Sequence, residues 1–311
     1  MDDGSNQLDF VNMINRSLRQ GARAIAENKK VLLAYYVVNV LAAAVVIAPF
    51  AMILSSVLGE SLESERLFGN ADADWVMETL LRFHTTPAVG LLEAAVLIGV
   101  LYLLVNTFLA GGAIAVFARP RESFFAACAR YFPRFFRIFL ISLVFYGVAF
   151  GIIRGLSAAL SRFLEDSMRA APEDVATWCV DFIGLLLLFA VNMTFDYAKI
   201  VCVVEDRKAL RSTLRAVRFA VRRFGSTYGL FVIAAAVGIA LLAIYHGISE
   251  WTGQGSVAAV IAVFLLRQVY ILARFWVRLW TWGGEIALFR ELSEQPGVPE
   301  KATARLALSS N

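Results

Sequence analysis

Six apolar runs, each long enough to cross a bilayer, constrain this chain before any single residue is weighed. A spanning helix needs about 20 mostly apolar residues. The runs at 31–58, 88–118, 138–160, 178–204, 228–248 and 257–282 each meet that length. With 59% of its 311 residues hydrophobic and 17% charged, the chain lacks the polar surface of a soluble domain of its size. The expected fold is an all-α integral membrane protein with six transmembrane helices, one membrane domain over 1–290. Residues 291–311 are expected to be a disordered cytoplasmic tail. The first run is too long for a signal-peptide core and has no small-residue cleavage site, so it is expected to stay.

The charges in the connectors give the orientation. Arg16, Arg19, Arg23, Lys29 and Lys30 precede the first run, Arg119 to Arg137 follow the second, and Arg207 to Arg223 follow the fourth. The other connectors are acidic, with Glu60, Glu63, Glu65, Asp72, Asp74 and Glu78 in one and Glu165, Asp166, Glu173 and Asp174 in another. Positive connectors stay inside, so both termini are expected in the cytoplasm and the protein in a bacterial inner membrane. Cys128, Cys179 and Cys202 are widely spaced and only His84 and His246 are present. Neither a disulfide framework nor a metal site is expected, and no cofactor.

An internal repeat lies beneath this pattern. Gly111-Gly112-Ala113-Ile114-Ala115-Val116-Phe117 and Gly283-Gly284-Glu285-Ile286-Ala287-Leu288-Phe289 agree at five of seven positions. Half their separation falls on Tyr197-Ala198-Lys199-Ile200-Val201-Cys202-Val203. In the same register Asn106, Asn192 and Arg278 are equivalent, and so are Asp181 and Arg267. Each unit reads as an amphipathic helix followed by a helical hairpin, over about 8–118, 121–204 and 207–290. The paired glycines are candidates for close helix contacts or hinges.

The amphipathic helix is clearest in the third unit. Arg207, Arg211, Arg215, Arg218 and Arg222 recur every three to four residues, and Leu210, Leu214, Val217, Val221 and Phe224 do so on another face. Such a helix suits a membrane interface, its guanidinium groups at anionic headgroups. It equally suits a cap on the bundle whose arginines enforce topology. Neither a reading motif nor a base-stacking platform accompanies the stripe, so nucleic acid is not an expected partner. Anionic lipids are, with a membrane-protein partner as a further option.

Charges within the apolar runs are costly and ordinarily meet a partner or a wet cavity. Glu93, Asp196, Lys199 and Glu285 lie in or at the edges of spans. A helix from 257 to 290 would outrun the bilayer core, so Arg278 and Glu285 are expected to reach headgroups and Arg274 to snorkel. Asp181 and Arg267 are expected to pair between adjacent helices, as a structural ion pair or as part of a polar pathway. Lys199 and Glu285 form a second set of opposite charge.

The run Asp196-Tyr197-Ala198-Lys199-Ile200, then Val204-Glu205-Asp206-Arg207 and a basic helix, together with the Gly-Gly-x-Ile-x-x-Phe ends, resembles a group of bacterial six-span proteins. These are similar to the membrane domain fused to some glycerophosphodiester phosphodiesterases. The resemblance implies an inner-membrane protein with no assigned reaction. The phosphodiesterase barrel has no counterpart here, so its hydrolysis is not carried over. No acid–base or nucleophile constellation can be specified, and an enzyme is not expected. The leading expectation is a non-enzymatic scaffold or accessory protein in lipid or envelope homeostasis. The alternative is a transporter or permease for a lipid or amphiphile.

Overall fold

A computed structural model describes residues 3–58, 87–166, 173–251 and 257–294. The described residues form eight α-helices and no strand: α1 (Asp3–Glu27), α2 (Lys29–Leu58), α3 (Pro87–Ala118), α4 (Phe124–Asp166), α5 (Glu173–Val204), α6 (Ala209–Arg222), α7 (Phe224–Trp251) and α8 (Val257–Glu294). The acidic connectors over 59–86 and 167–172, and the tail beyond 294, lie outside the described residues.

Four stretches are long and apolar enough to cross a membrane: Val96–Ala118, Phe124–Leu160, Trp178–Val204 and Phe224–Ser249. A fifth is counted if α1 and α2, bent by 75° where they meet, form one span. The chain thus has the build of a multi-pass membrane protein. α8 is not among these stretches. It carries Arg267, Arg274 and Arg278 along an otherwise apolar length.

The three amphipathic segments meet their spans in different ways. Asn28 breaks the chain between α1 and α2, its side-chain amide donating to Ala24 O at 2.9 Å. A second break at Arg223 separates α6 from α7. In α4 the amphipathic turns run straight into the apolar ones, with Pro133 inside the helix. Proline removes one helical hydrogen bond and crowds the preceding turn. The helix nevertheless continues through it to Asp166.

Burial is concentrated at the C-terminal ends of α3, α5 and α8. Leu109–Ala118, Phe195–Val203 and Leu279–Leu292 supply most of the buried apolar residues. Three helix crossings seal this end: α1 packs on α8, the start of α4 on α3, and α6 on α5. Small residues allow each one. A Cβ on Gly21 would lie 2.6 Å from Trp280 O, and one on Gly283 2.8 Å from Gly21 Cα. A Cβ on Gly112 would meet Cys128 Sγ and lie 2.7 Å from Phe124 O. At the third crossing α6 contributes the small face, burying Ala209, Ser212, Thr213, Ala216 and Ala220. The opposite halves of the helices expose Leu97, Val144, Phe182 and Phe264, an outside that only hydrocarbon would solvate.

Candidate functional site

Above that sealed end, α3, α5, α7 and α8 line an open cavity of about 220 Å³. Three of these helices each present two polar residues to it one turn apart: Tyr102 and Asn106, Asn192 and Asp196, Arg274 and Arg278. Residues four apart share a helix face, so the spacing itself aims each pair inward. Asn106 lies twelve residues before Ala118 and Asn192 twelve before Val204, roughly 18 Å along each helix. The polar groups are therefore deep among the apolar stretches.

Hydrogen bonds fix most of this lining. Tyr35 Oη donates to Asn106 Oδ1 at 3.2 Å, and Asn106 Nδ2 donates to Asn39 Oδ1 at 3.2 Å and Tyr102 O at 2.9 Å. Tyr146 Oη donates to Asn192 Oδ1 at 3.4 Å. Asp196, nearly buried, accepts from Lys199 Nζ at 2.7 Å. The Arg278 guanidinium lies 4.9 Å from the centre of the Trp282 ring, and Lys199 Nζ is 5.9 Å from the same centre.

The charges do not all find partners. Among the described residues neither Arg274 nor Arg278 forms an ion pair, and both side chains are open to the cavity. Glu285 is 0% exposed, and neither carboxylate oxygen has a hydrogen-bond partner among the described residues. Asp196, Lys199 and Arg278 lie within its electrostatic reach. Buried polar groups without partners are rare and costly, and Glu285 is one, beside a cavity that two exposed arginines line.

These positions correct three expectations. Glu285 does not reach headgroups, since it is fully buried. Arg278 and Arg274 face the cavity, because the turn of α8 that carries them points at α5 and α7. Asp181 and Arg267 form no ion pair among the described residues, and both side chains are exposed. Lys199 is bonded to Asp196, three residues away on the same helix, which leaves Glu285 without it. Glu93 belongs to α3, but its side chain lies outside the described residues. Gly111, Gly112, Gly283 and Gly284 all sit at helix crossings.

A second polar region covers the C-terminal ends of α3 and α5. Arg290 donates to Ala118 O at 2.6 Å, while Arg119 donates to Val203 O at 3.0 Å and to Tyr131 Oη at 3.3 Å. The last carbonyls of a helix lack intrahelical donors, and a cation there also complements the dipole. Arg134 pairs with Asp206, whose carboxyl that guanidinium holds below its ordinary range.

On α6 the arginine stripe divides. Arg207 pairs with Glu205, and Arg215 approaches the same carboxylate at 3.5 Å. Arg211, Arg218 and Arg222 are exposed and form no ion pair among the described residues. Beside them Leu210, Leu214 and Val221 are 61%, 63% and 71% exposed.

Residue spacing held the signal for the cavity. Arg274 and Arg278 are one turn apart, as are Tyr102 and Asn106, and Asn192 and Asp196. No protein-family model, curated protein or solved structure matches this chain.

Proposed function

We propose that the protein is a non-enzymatic, six-span protein of the bacterial inner membrane, with both termini cytoplasmic, that seats its cytoplasmic face on anionic lipid and serves lipid or envelope homeostasis as a scaffold or accessory component. The observation that carries this reading is the three-sided build of α6. Its small face is buried on α5, its leucines and Val221 are exposed, and Arg211, Arg218 and Arg222 stand beside them with no ion-pair partner among the described residues. An exposed apolar stripe next to unpaired cations is what an interfacial helix offers a charged membrane.

The six-span count takes α2 and α8 as spans alongside the four apolar stretches. α2 is apolar from Val31 onward once the bend at Asn28 has turned it away from α1. α8 is less apolar because two of its arginines serve the cavity. Three repeated units are supported by the crossings: the amphipathic segment of each unit lies on the last helix of the unit before it, and that of the first unit on the last helix of the third. Such an arrangement closes on itself. The resemblance to the membrane domain of glycerophosphodiester phosphodiesterases belongs to the same reading.

The test is lipid co-purification with the full-length protein. Phosphatidylglycerol and cardiolipin should be enriched over phosphatidylethanolamine, and Arg211→Gln/Arg218→Gln/Arg222→Gln should reduce the enrichment in a salt-sensitive way. Each arginine near the surface contributes about 1 kcal/mol. Identical lipid composition in the variant would leave the stripe a topological role alone. The cavity favours a second reading, a carrier for an amphiphile. Flux of a labelled lipid in liposomes, present with the protein and absent without it, would move this reading ahead.

A further inference from the structure

The cavity does not end at its polar lining. A second void of about 390 Å³ adjoins it between α5, α7 and α8. The two share Ala235, Gly238, Arg274 and Val277. Beyond that shared wall the second void is walled by Phe189, Ile239, Leu242 and Tyr270, a surface suited to hydrocarbon. From the joint structure of the two voids we propose a single binding site for one anionic phospholipid, its phosphate on Arg274 and Arg278 and an acyl chain along α7 in the apolar groove.

Charge selects the head. Asp196 is taken by Lys199 at 2.7 Å, while the two arginines have no carboxylate at ion-pair distance among the described residues. A cation this deep in a bilayer needs an anion or water beside it, and a guanidinium fork matches phosphate oxygens two at a time. Asn192 adds a donor. Its Oδ1 accepts from Tyr146, and its Nδ2 meets no protein acceptor among the described residues.

Size selects the rest. Sites for drug-sized ligands run to roughly 300–1,000 Å³, and the polar cavity at about 220 Å³ is smaller. It takes a headgroup and not a whole lipid, and the groove that shares its wall offers the apolar surface for the rest. Gly238 stands at that junction, and a Cβ there would meet nothing within 4 Å. The glycine keeps the passage open.

This site does not depend on the α6 surface, and salt separates the two. Salt screens the arginine contacts at both places, but a lipid in the bundle also keeps an acyl chain in the apolar groove of α5, α7 and α8, which salt does not weaken. The experiment titrates the delipidated full-length protein in neutral detergent at high ionic strength, counting bound lipid by native mass spectrometry. Phosphatidylglycerol should bind as one tight equivalent, phosphatidylcholine should not replace it, and inorganic phosphate at the same concentration should not displace it.

Arg274→Gln/Arg278→Gln should weaken the phosphatidylglycerol at least about tenfold, with Arg274→Lys/Arg278→Lys retaining part of the affinity. Gly238→Phe leaves every charge in place and fills the junction, so it should weaken the same lipid about tenfold with an unaltered melting temperature. Equal retention of phosphatidylcholine, unchanged binding in either the Gln pair or Gly238→Phe, or displacement by inorganic phosphate would each overturn the proposal. The last outcome would identify a small-anion site instead. Loss of lipid only in the α6 triple variant would place the binding on the surface and not in the bundle.

Discussion

Asp206, just past the end of α5, is the only non-glycine residue with positive φ among the described residues, at 47°. Glu205 N still bonds Val201 O at 3.0 Å, so the reversal to a left-handed backbone falls on the next residue, where a helix commonly ends. Aspartate tolerates this conformation better than most side chains, and here its carboxylate also reaches Arg134 on α4. Two substitutions separate these roles. Asp206→Asn keeps the backbone tolerance and loses an exposed ion pair, at a cost under about 1 kcal/mol. Asp206→Val adds strain of about 1–3 kcal/mol. Thermal melts at neutral pH should rank them in that order, and equal melts would show the turn to be unstrained. The pairing lowers the folded pKa of Asp206, so its stabilisation is complete above the ordinary carboxylate value and fades as pH falls through the lowered one. Wild type and Asp206→Asn should therefore converge in acid.

At the scale of elements, three helix crossings are built on small residues, and only two of them on glycine. α1 meets α8 through Gly21, Gly283 and Gly284, and α4 meets α3 through Gly111 and Gly112. Where α6 meets α5, the α5 side carries Tyr197 and Ala198, so the small residues are on α6 and Phe219 packs 5.3 Å from the Tyr197 ring. Tyr197-Ala198 thus stands where the other two segments carry Gly-Gly. Gly21→Ala would drive a methyl against the backbone of α8, which cannot yield as a side chain can. A loss of about 1–3 kcal/mol is expected. Gly147→Ala on α4 meets nothing within 4 Å and should be neutral or stabilising by up to about 1 kcal/mol. The temperature at which each variant loses its monodisperse peak on size exclusion measures this, and equal shifts would mean the α1–α8 contact is looser than described.

For the whole molecule, the direction proposed above puts the sealed end of the bundle inside. The arginine contacts at the C-terminal ends of α3 and α5, the α6 stripe and the buried core all lie at the end proposed to face the cytoplasm. Thiol labelling in intact cells, in a background with Cys128, Cys179 and Cys202 replaced, measures it. Ser123→Cys, exposed before α4, should be protected from an impermeant reagent, while Ser64→Cys and Ser167→Cys should react. Reaction at Ser123 from outside would invert the topology. Ser212 is unsuitable as an inner reporter because α5 buries it completely.

Length and apolarity are properties of the chain alone, and so the helical, membrane-spanning character was legible in the sequence. The amphipathic stripes were legible for the same reason, since a helical period needs no neighbour to be read. Which face of a stripe is buried was not. On α6 the alanines, Ser212, Thr213 and Phe219 are covered while Leu210 and Leu214 are left out, the reverse of what apolar burial alone would choose, because the small residues let α6 approach α5 closely. Equivalence in a repeat suggested Asp181 with Arg267 and Lys199 with Glu285. Equivalent positions on different helices share a depth but need not share a neighbour, and rotation about each helix axis decides which side chains meet. That rotation is set by the three crossings, and it brought Asn106, Asn192 and Arg278 to one cavity while leaving Asp181 and Arg267 facing outward.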